Sequence, residues 1–324
     1  VAATHLAAHP AVATAPRGLA IPGPLDALTP PDMARKAVDV GISKSRLDVR
    51  SVFLLSILAG AFIALGAIFS LTVTAGAGGG TAGAASLPYG VTRLLAGLAF
   101  SLGLVLVVVG GAELFTGNIL LTFAWSSRRV STIRVLRNWT VIYVGNFLGS
   151  IGTVAIVVAG GWYKLGGGSV GAGLLSTASV KVGHTFVEAF ALGVMCNALV
   201  CLAIWLTYSA RTTTDRIMAI VPPVTCFVAA GFEHSIANMF FIPAAIAVRA
   251  LAPASFWTAI GSSAAAYSNV DPGGFVSNLV PVTLGNIVGG ALLVAAMYWL
   301  AYLREERRPA ELNASLQEDR SCLS

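Results

Sequence analysis

The sequence predicts an all-α membrane protein with six transmembrane spans, arranged as two inverted halves in which the second and fifth spans are broken. Three observations point there. The chain is 56% hydrophobic and only 10% charged over 324 residues, more apolar than a soluble domain of that length requires. Six stretches, near residues 52–74, 91–125, 139–160, 182–208, 216–250 and 275–303, have the length to cross about 30 Å of hydrocarbon. The second and fifth are long and interrupted mid-span, by GGAELFTGN at 110–118 and by Pro222, Pro223, Gly231 and Pro243 around Glu233 and His234. Broken helices persist at membrane depth only where protein or an aqueous cavity satisfies the freed backbone groups, so a matched pair points to a transport path.

The segment before the first span, residues 1–50, begins Ala- and Pro-rich without a signal-peptide pattern. Residues 31–48 are expected to form a short amphipathic helix at the cytoplasmic face, with Asp32 as its N-cap. The transport domain runs over 51–303. Its third and sixth spans carry GNFLG at 145–149 and GNIVG at 285–289. Each match is third in its half and follows a broken span, and three spans per half set the halves in opposite orientation. Residues 304–324 read as a polar cytoplasmic tail.

Basic residues fix the orientation. Arg128, Arg129, Arg134 and Arg137 lie between spans two and three, Arg211 and Arg216 between four and five, and Arg304, Arg307 and Arg308 after six. Arg17, Arg35, Lys36, Lys44, Arg46 and Arg50 precede span one, whereas the other side has only Arg93, Lys164, Lys181 and Arg249. Both termini are therefore expected in the cytoplasm. The net charge of +6 is explained by these runs and is no signal for nucleic acid. Cys196, Cys201 and Cys226 lie in apolar segments and Cys322 in the tail, with no metal spacing; buried small hydrophobes are the plain reading. No metal or cofactor is expected.

His234 is the side chain to which the pattern draws attention. An ionisable group at membrane depth is costly and usually faces a cavity, and histidine exchanges a proton near neutral pH. A structural histidine is the competing reading. Buried away from water, the resting ring should be neutral. An anion beside it would favour protonation, and the proton could pass on to make a small neutral acid. That acid crosses an apolar constriction far more cheaply than the anion.

The motifs GFEHSIANMF (231–240), AELFTG (112–117), KVGHTFVE (181–188), NALVCLAIW (197–205) and PVTLGNIVGG (281–290) together resemble the formate/nitrite transporter family. The resemblance runs from about residue 30 to 304, and KVGHTFVE with MFFIP at 239–243 resembles its formate branch. A glycine-rich stretch at 75–83, longer than in close formate channels, and the extended N-terminus depart from it. The resemblance implies an aquaporin-like six-helix protomer, a homopentamer in membrane lipid, and one pore per protomer in a bacterial cytoplasmic membrane. It implies Thr116, Lys181, Asn197, Glu233 and His234 as pore residues, with Phe100, Leu104, Leu114 and Phe227 at two apolar constrictions. Formate, or a similar small weak-acid anion, and protons are the implied partners.

Each residue also has a plainer reading. Thr116 could bond back to its own helix, Lys181 could be an interface lysine at the start of span four, and Asn197 could glue helices together. Glu233 is expected to satisfy broken backbone donors, because a carboxylate in the lumen repels anions. His184 and Glu188 share a helix face, but two ligands are too few for a metal, so a cap or polar contact is the better reading. An intramembrane hydrolase using Ser235 and His234 is disfavoured because helix neighbours do not face one another. A water, glycerol or ammonium channel lacks its paired Asn-Pro-Ala boxes. The choice among formate, nitrite, acetate, lactate and hydrosulfide stays open.

Overall fold

The computed structural model describes residues 27–77 and 87–304, and all regular structure among them is helical. The first 26 residues, most of the glycine-rich stretch and the tail beyond Arg304 lie outside the described residues. A short helix, α1 (Pro30–Arg46), precedes the spans α2 (Val49–Thr74) and α3 (Tyr89–Gly110). After a break come α4 (Phe115–Asn118), a 3₁₀ turn and α5 (Thr122–Ser126), then α6 (Thr132–Ala159). The second half repeats this order. The short α7 (Ser169–Val182) leads into α8 (Phe186–Ser209), α9 (Thr213–Ala230), a break, α10 (Ser235–Leu251), the short α11 (Ala254–Ala259) and α12 (Pro272–Val288). A π-helical stretch carries α12 into α13 (Met297–Tyr302). Five helical stretches are long and apolar enough to cross a membrane, and the α9–α10 pair, bent by 51°, would make a sixth.

Three expectations are corrected. The N-cap position of α1 is Thr29, not Asp32; Asp32 sits in the first turn, where it accepts from the Thr29 hydroxyl and pairs with Arg35 at 2.7 Å. Its inner face, Met33, Ala34, Ala37, Val38 and Gly41, is buried against α5 and α8, so α1 is part of the bundle. The fourth span starts at Phe186, because Thr185 and Glu188 form a reciprocal capping box there. Lys181 therefore belongs to the last turn of α7, and Glu188 is a capping residue. Cys196 and Cys201 are buried as expected, but Cys226 is exposed on the outside of α9.

The halves are held by the same device. Gly145 and Gly149 of α6 press on Ser56 and Ile57 of α2, and Gly285 of α12 and Gly289 at the start of the π-helical stretch press on Phe190 and Val194 of α8. A Cβ at any of the four would overlap the facing helix, so only glycine permits these approaches. The asparagine between each pair faces the break in its own half.

Candidate functional site

Both breaks begin on a glycine in the left-handed region, Gly111 (φ 76°) and Gly231 (φ 77°). The chain then runs extended before helix resumes at Phe115 and Ser235. The freed backbone groups are met by one asparagine each. Asn146 Oδ1 accepts from Phe115 N–H at 2.9 Å, and its Nδ2 donates to the carbonyls of Ser56 (2.7 Å) and Glu113 (3.0 Å). Asn286 Oδ1 accepts from Ser235 N–H at 2.9 Å, and its Nδ2 donates to the carbonyls of Gly193 (2.8 Å) and Glu233 (2.9 Å). Glu113 N–H and Glu233 N–H reach the carbonyls of Leu55 (3.2 Å) and Leu192 (3.3 Å).

The two breaks meet at one polar contact, Thr116 Oγ1 to His234 Nε2 at 3.1 Å, buried from solvent. His234 is also the N-cap of α10, where Nδ1 accepts from Ala237 N–H at 3.1 Å. An acceptor at Nδ1 places the proton of a neutral ring on Nε2, facing Thr116. Apolar groups surround this contact. Phe227 stacks on the ring (centroids 5.9 Å apart, 19°) and meets Phe100 edge-on at 5.8 Å. Leu104 and Leu114 are buried.

A cavity approaches from each side. The wider, about 490 Å³, is lined by the apolar Phe100 and Phe227 beside His234 and by Arg93, Lys181, His184 and the buried Glu233. The narrower, about 230 Å³, lies on the α1 side and is lined by Leu114, Lys44, Glu113 and Asn118. Each contains the same ionic cluster. In the wider one, Lys181 Nζ lies 2.8 Å from Glu233 Oε1, and Asn238 Nδ2 donates to Glu233 Oε2 (2.6 Å) and to Asn278 Oδ1 (2.7 Å). In the narrower one, Lys44 Nζ lies 2.8 Å from Glu113 Oε1, and Asn118 Nδ2 donates to Glu113 Oε2 (2.6 Å) and to Asn138 Oδ1 (3.1 Å).

Most of the sequence-derived residues converge here, with the expected roles of Glu233 and Asn197 corrected. Glu233 binds side chains, Lys181, Asn238 and Asn278, and leaves the broken backbone to Asn286. Asn197 is fully buried and lines neither cavity; its amide bridges the carbonyls of Thr116 (3.2 Å) and Asn286 (2.7 Å), while Oδ1 has no partner among the described residues. The Ser235 hydroxyl is buried without a hydrogen-bond partner among the described residues and both ring nitrogens of His234 are engaged elsewhere, so the two form no dyad. Sequence reasoning passed over Lys44, Glu113 and their asparagines. The signal was available, because Glu113 and Asn118 repeat the spacing of Glu233 and Asn238.

A profile of the formate/nitrite transporter family matches residues 31–300. "Formate channel FocA" of Escherichia coli (strain K12) is 44% identical over 283 residues, covering 87% of this chain and 97% of that protein. "Formate channel FocA" of Haemophilus influenzae is 42% identical over 270 residues, covering 83% and 92%. Among solved structures, a "Pentameric formate channel with formate bound" superposes with a TM-score of 0.73 at 48% identity, covering 79% of this chain and 98% of that one. An "FNT family ion channel" superposes at 0.68 with 28% identity, covering 83% and 98%.

Proposed function

The chain belongs to the formate/nitrite transporter family, and from that premise we propose that it is a pentameric channel for formate in a bacterial cytoplasmic membrane. The observation that carries this reading is the Thr116–His234 contact, set among apolar side chains between two cavities that each hold a lysine. The α1 side, which carries the arginine-rich connections, is cytoplasmic, and the wider cavity opens outward.

Lys181 draws the anion into the outer cavity, and Phe100 and Phe227 strip its water. A bare carboxylate cannot cross that ring of apolar groups without a large desolvation cost. His234 meets it with the Nε2 proton. A proton taken up on Nδ1 displaces the bond from Ala237 N–H, so the imidazolium is short-lived. It hands its Nε2 proton to a formate oxygen; loss of the remaining Nδ1 proton and uptake of one on Nε2 then restore the neutral tautomer that accepts from Ala237 N–H, for a net uptake of one proton per formate. Neutral formic acid then passes Leu114 and Leu104 and ionises again in the inner cavity, beside Lys44. Local protonation is needed because an acid with a pKa of about 4 is only about 0.1% neutral at pH 7.

The test is labelled formate influx into proteoliposomes with external pH recorded alongside. The expected result is about one proton taken up per formate, influx that quickens as the outside is acidified, and exclusion of chloride. Nitrite and hydrosulfide in the same assay rank the substrates. Electrogenic formate influx without a proton, matched by a chloride current, would show a bare-anion pore.

A further inference from the structure

The outer cavity holds, besides Lys181, an arginine in a setting unlike that of either lysine. Arg93, in the first turns of α3, reaches across to the end of α9. Its Nε donates to the Ala229 carbonyl at 3.1 Å and its Nη2 to the Val228 carbonyl. These are carbonyls of the last turn of an 18-residue helix that stops at the break, where the helix dipole leaves about half a negative charge. Left bare, that pole would face the incoming anion a few residues before His234.

Lys181 and Lys44 are each matched by a glutamate at 2.8 Å. Arg93 is engaged by carbonyls and forms no ion pair among the described residues, so only the partial charge of the α9 pole offsets it. A guanidinium has five N–H donors; two are used here, and the other three have no partner among the described residues. Arg93 lines the same cavity as Ala96 and Phe100, which follow it on one face of α3 at helical spacing. It stands two turns outward from the aromatic constriction, about 10 Å along the helix. The inner cavity has no equivalent among the described residues. Glu113 and Asn118 correspond to Glu233 and Asn238 at an offset of 120 residues, and that offset pairs Arg93 with Thr213.

Building on the formate-channel reading, we propose that Arg93 is a specificity-determining residue of the outer cavity. It collects the carboxylate on its free N–H edge before the anion reaches Phe100 and Phe227, while its occupied edge covers the negative end of α9. The arginine therefore makes the outer mouth the more anion-attracting of the two.

The experiment is formate influx by the full-length protein in proteoliposomes, comparing wild type with Arg93→Gln, Arg93→Lys and Arg93→Cys. Arg93→Gln is expected to raise the half-saturating formate concentration about fourfold at low ionic strength, from the loss of one nearby charge in a wet cavity. Saturating influx should stay within about twofold, and the defect should fade as an inert salt is added, because exposed charges are screened over about 10 Å at 0.1 M. Arg93→Lys should keep most of the native affinity. Arg93→Cys labelled from outside with a trimethylammonium thiosulfonate should regain formate affinity, and labelling with a sulfonate reagent should lose more. The trimethylammonium group cannot donate to the α9 carbonyls, so its rescue separates charge from bracing. Native half-saturation in Arg93→Gln, or a loss that neither salt nor the cationic label alters, overturns the proposal and leaves a structural clamp. Absence of formate influx in wild type would instead overturn the channel reading itself.

Discussion

The two breaks are the same object with different contents. Residues 113–118 read ELFTGN and residues 233–238 read EHSIAN. Glutamate and asparagine at the ends are shared, and each pair holds a lysine and a second asparagine in the same geometry. The interior differs at two places that decide the chemistry. Leu114 stands where the other half has His234, and Thr116 where it has Ile236. One half supplies an apolar plug and a hydroxyl; the other supplies the titratable ring that the hydroxyl meets. The frame of the breaks is symmetric because both must satisfy the same unpaired backbone, whereas the contents are asymmetric because the two breaks meet at a contact to which one brings the ring and the other the hydroxyl.

The strongest way to test the shared frame is to remove its central asparagines. Asn146→Leu and Asn286→Leu each strand an N–H and a carbonyl freed by the break, and an unmet buried group costs about 1–3 kcal/mol. Each variant is expected to lose on the order of 3 kcal/mol or more, seen as a lower melting temperature in detergent with loss of the oligomer. Similar losses in the two are the signature of a repeated device. A native melting curve for either would mean that its break is held by something else.

The asymmetric contents are tested by making the halves alike. His234→Leu gives leucine at both equivalent positions and removes the proton donor, for which a loss of about 100-fold in proton-linked formate influx is expected. The lost N-cap to Ala237 N–H should cost only about 1 kcal/mol, so the protein should still assemble. Unchanged pH-dependent influx would show that the ring does no more than cap its helix.

A smaller effect should distinguish the two lysines. Lys181 is 13% exposed against Glu233 at 2%, and Lys44 is 28% exposed against Glu113 at 7%. Water screens the outer pair less, so Lys181→Ala is expected to slow influx about tenfold and Lys44→Ala about threefold, the order following the local dielectric. Lys181→Arg should keep part of the rate, since the field survives while the geometry changes. Equal initial rates for the two alanine variants would remove the distinction between the mouths.

What the sequence determined by itself is local. Apolar length located the crossing segments, and glycines and prolines inside two of them marked the breaks. The repeated GNxxG pointed to the inverted halves, which the glycine contacts of α6 and α12 explain. Glu233 and His234 stood out because ionisable groups are rare at that depth. What only the tertiary structure decided is who meets whom. Thr116 and His234 are 118 residues apart, Lys44 and Glu113 are 69 apart, and Lys181 and Glu233 are 52 apart. Lys44 reads in the sequence as one more basic residue before the first span, and Arg93 as one of a few on the outer side. Each acquires its role from a helix laid against it, α1 against the end of the first break and α3 against the end of α9. Hydropathy reports the depth of a residue in the membrane because it depends on the neighbours along the chain. The partner of a charge depends on which helices pack together, and that is set by the glycine and asparagine contacts between spans far apart in sequence.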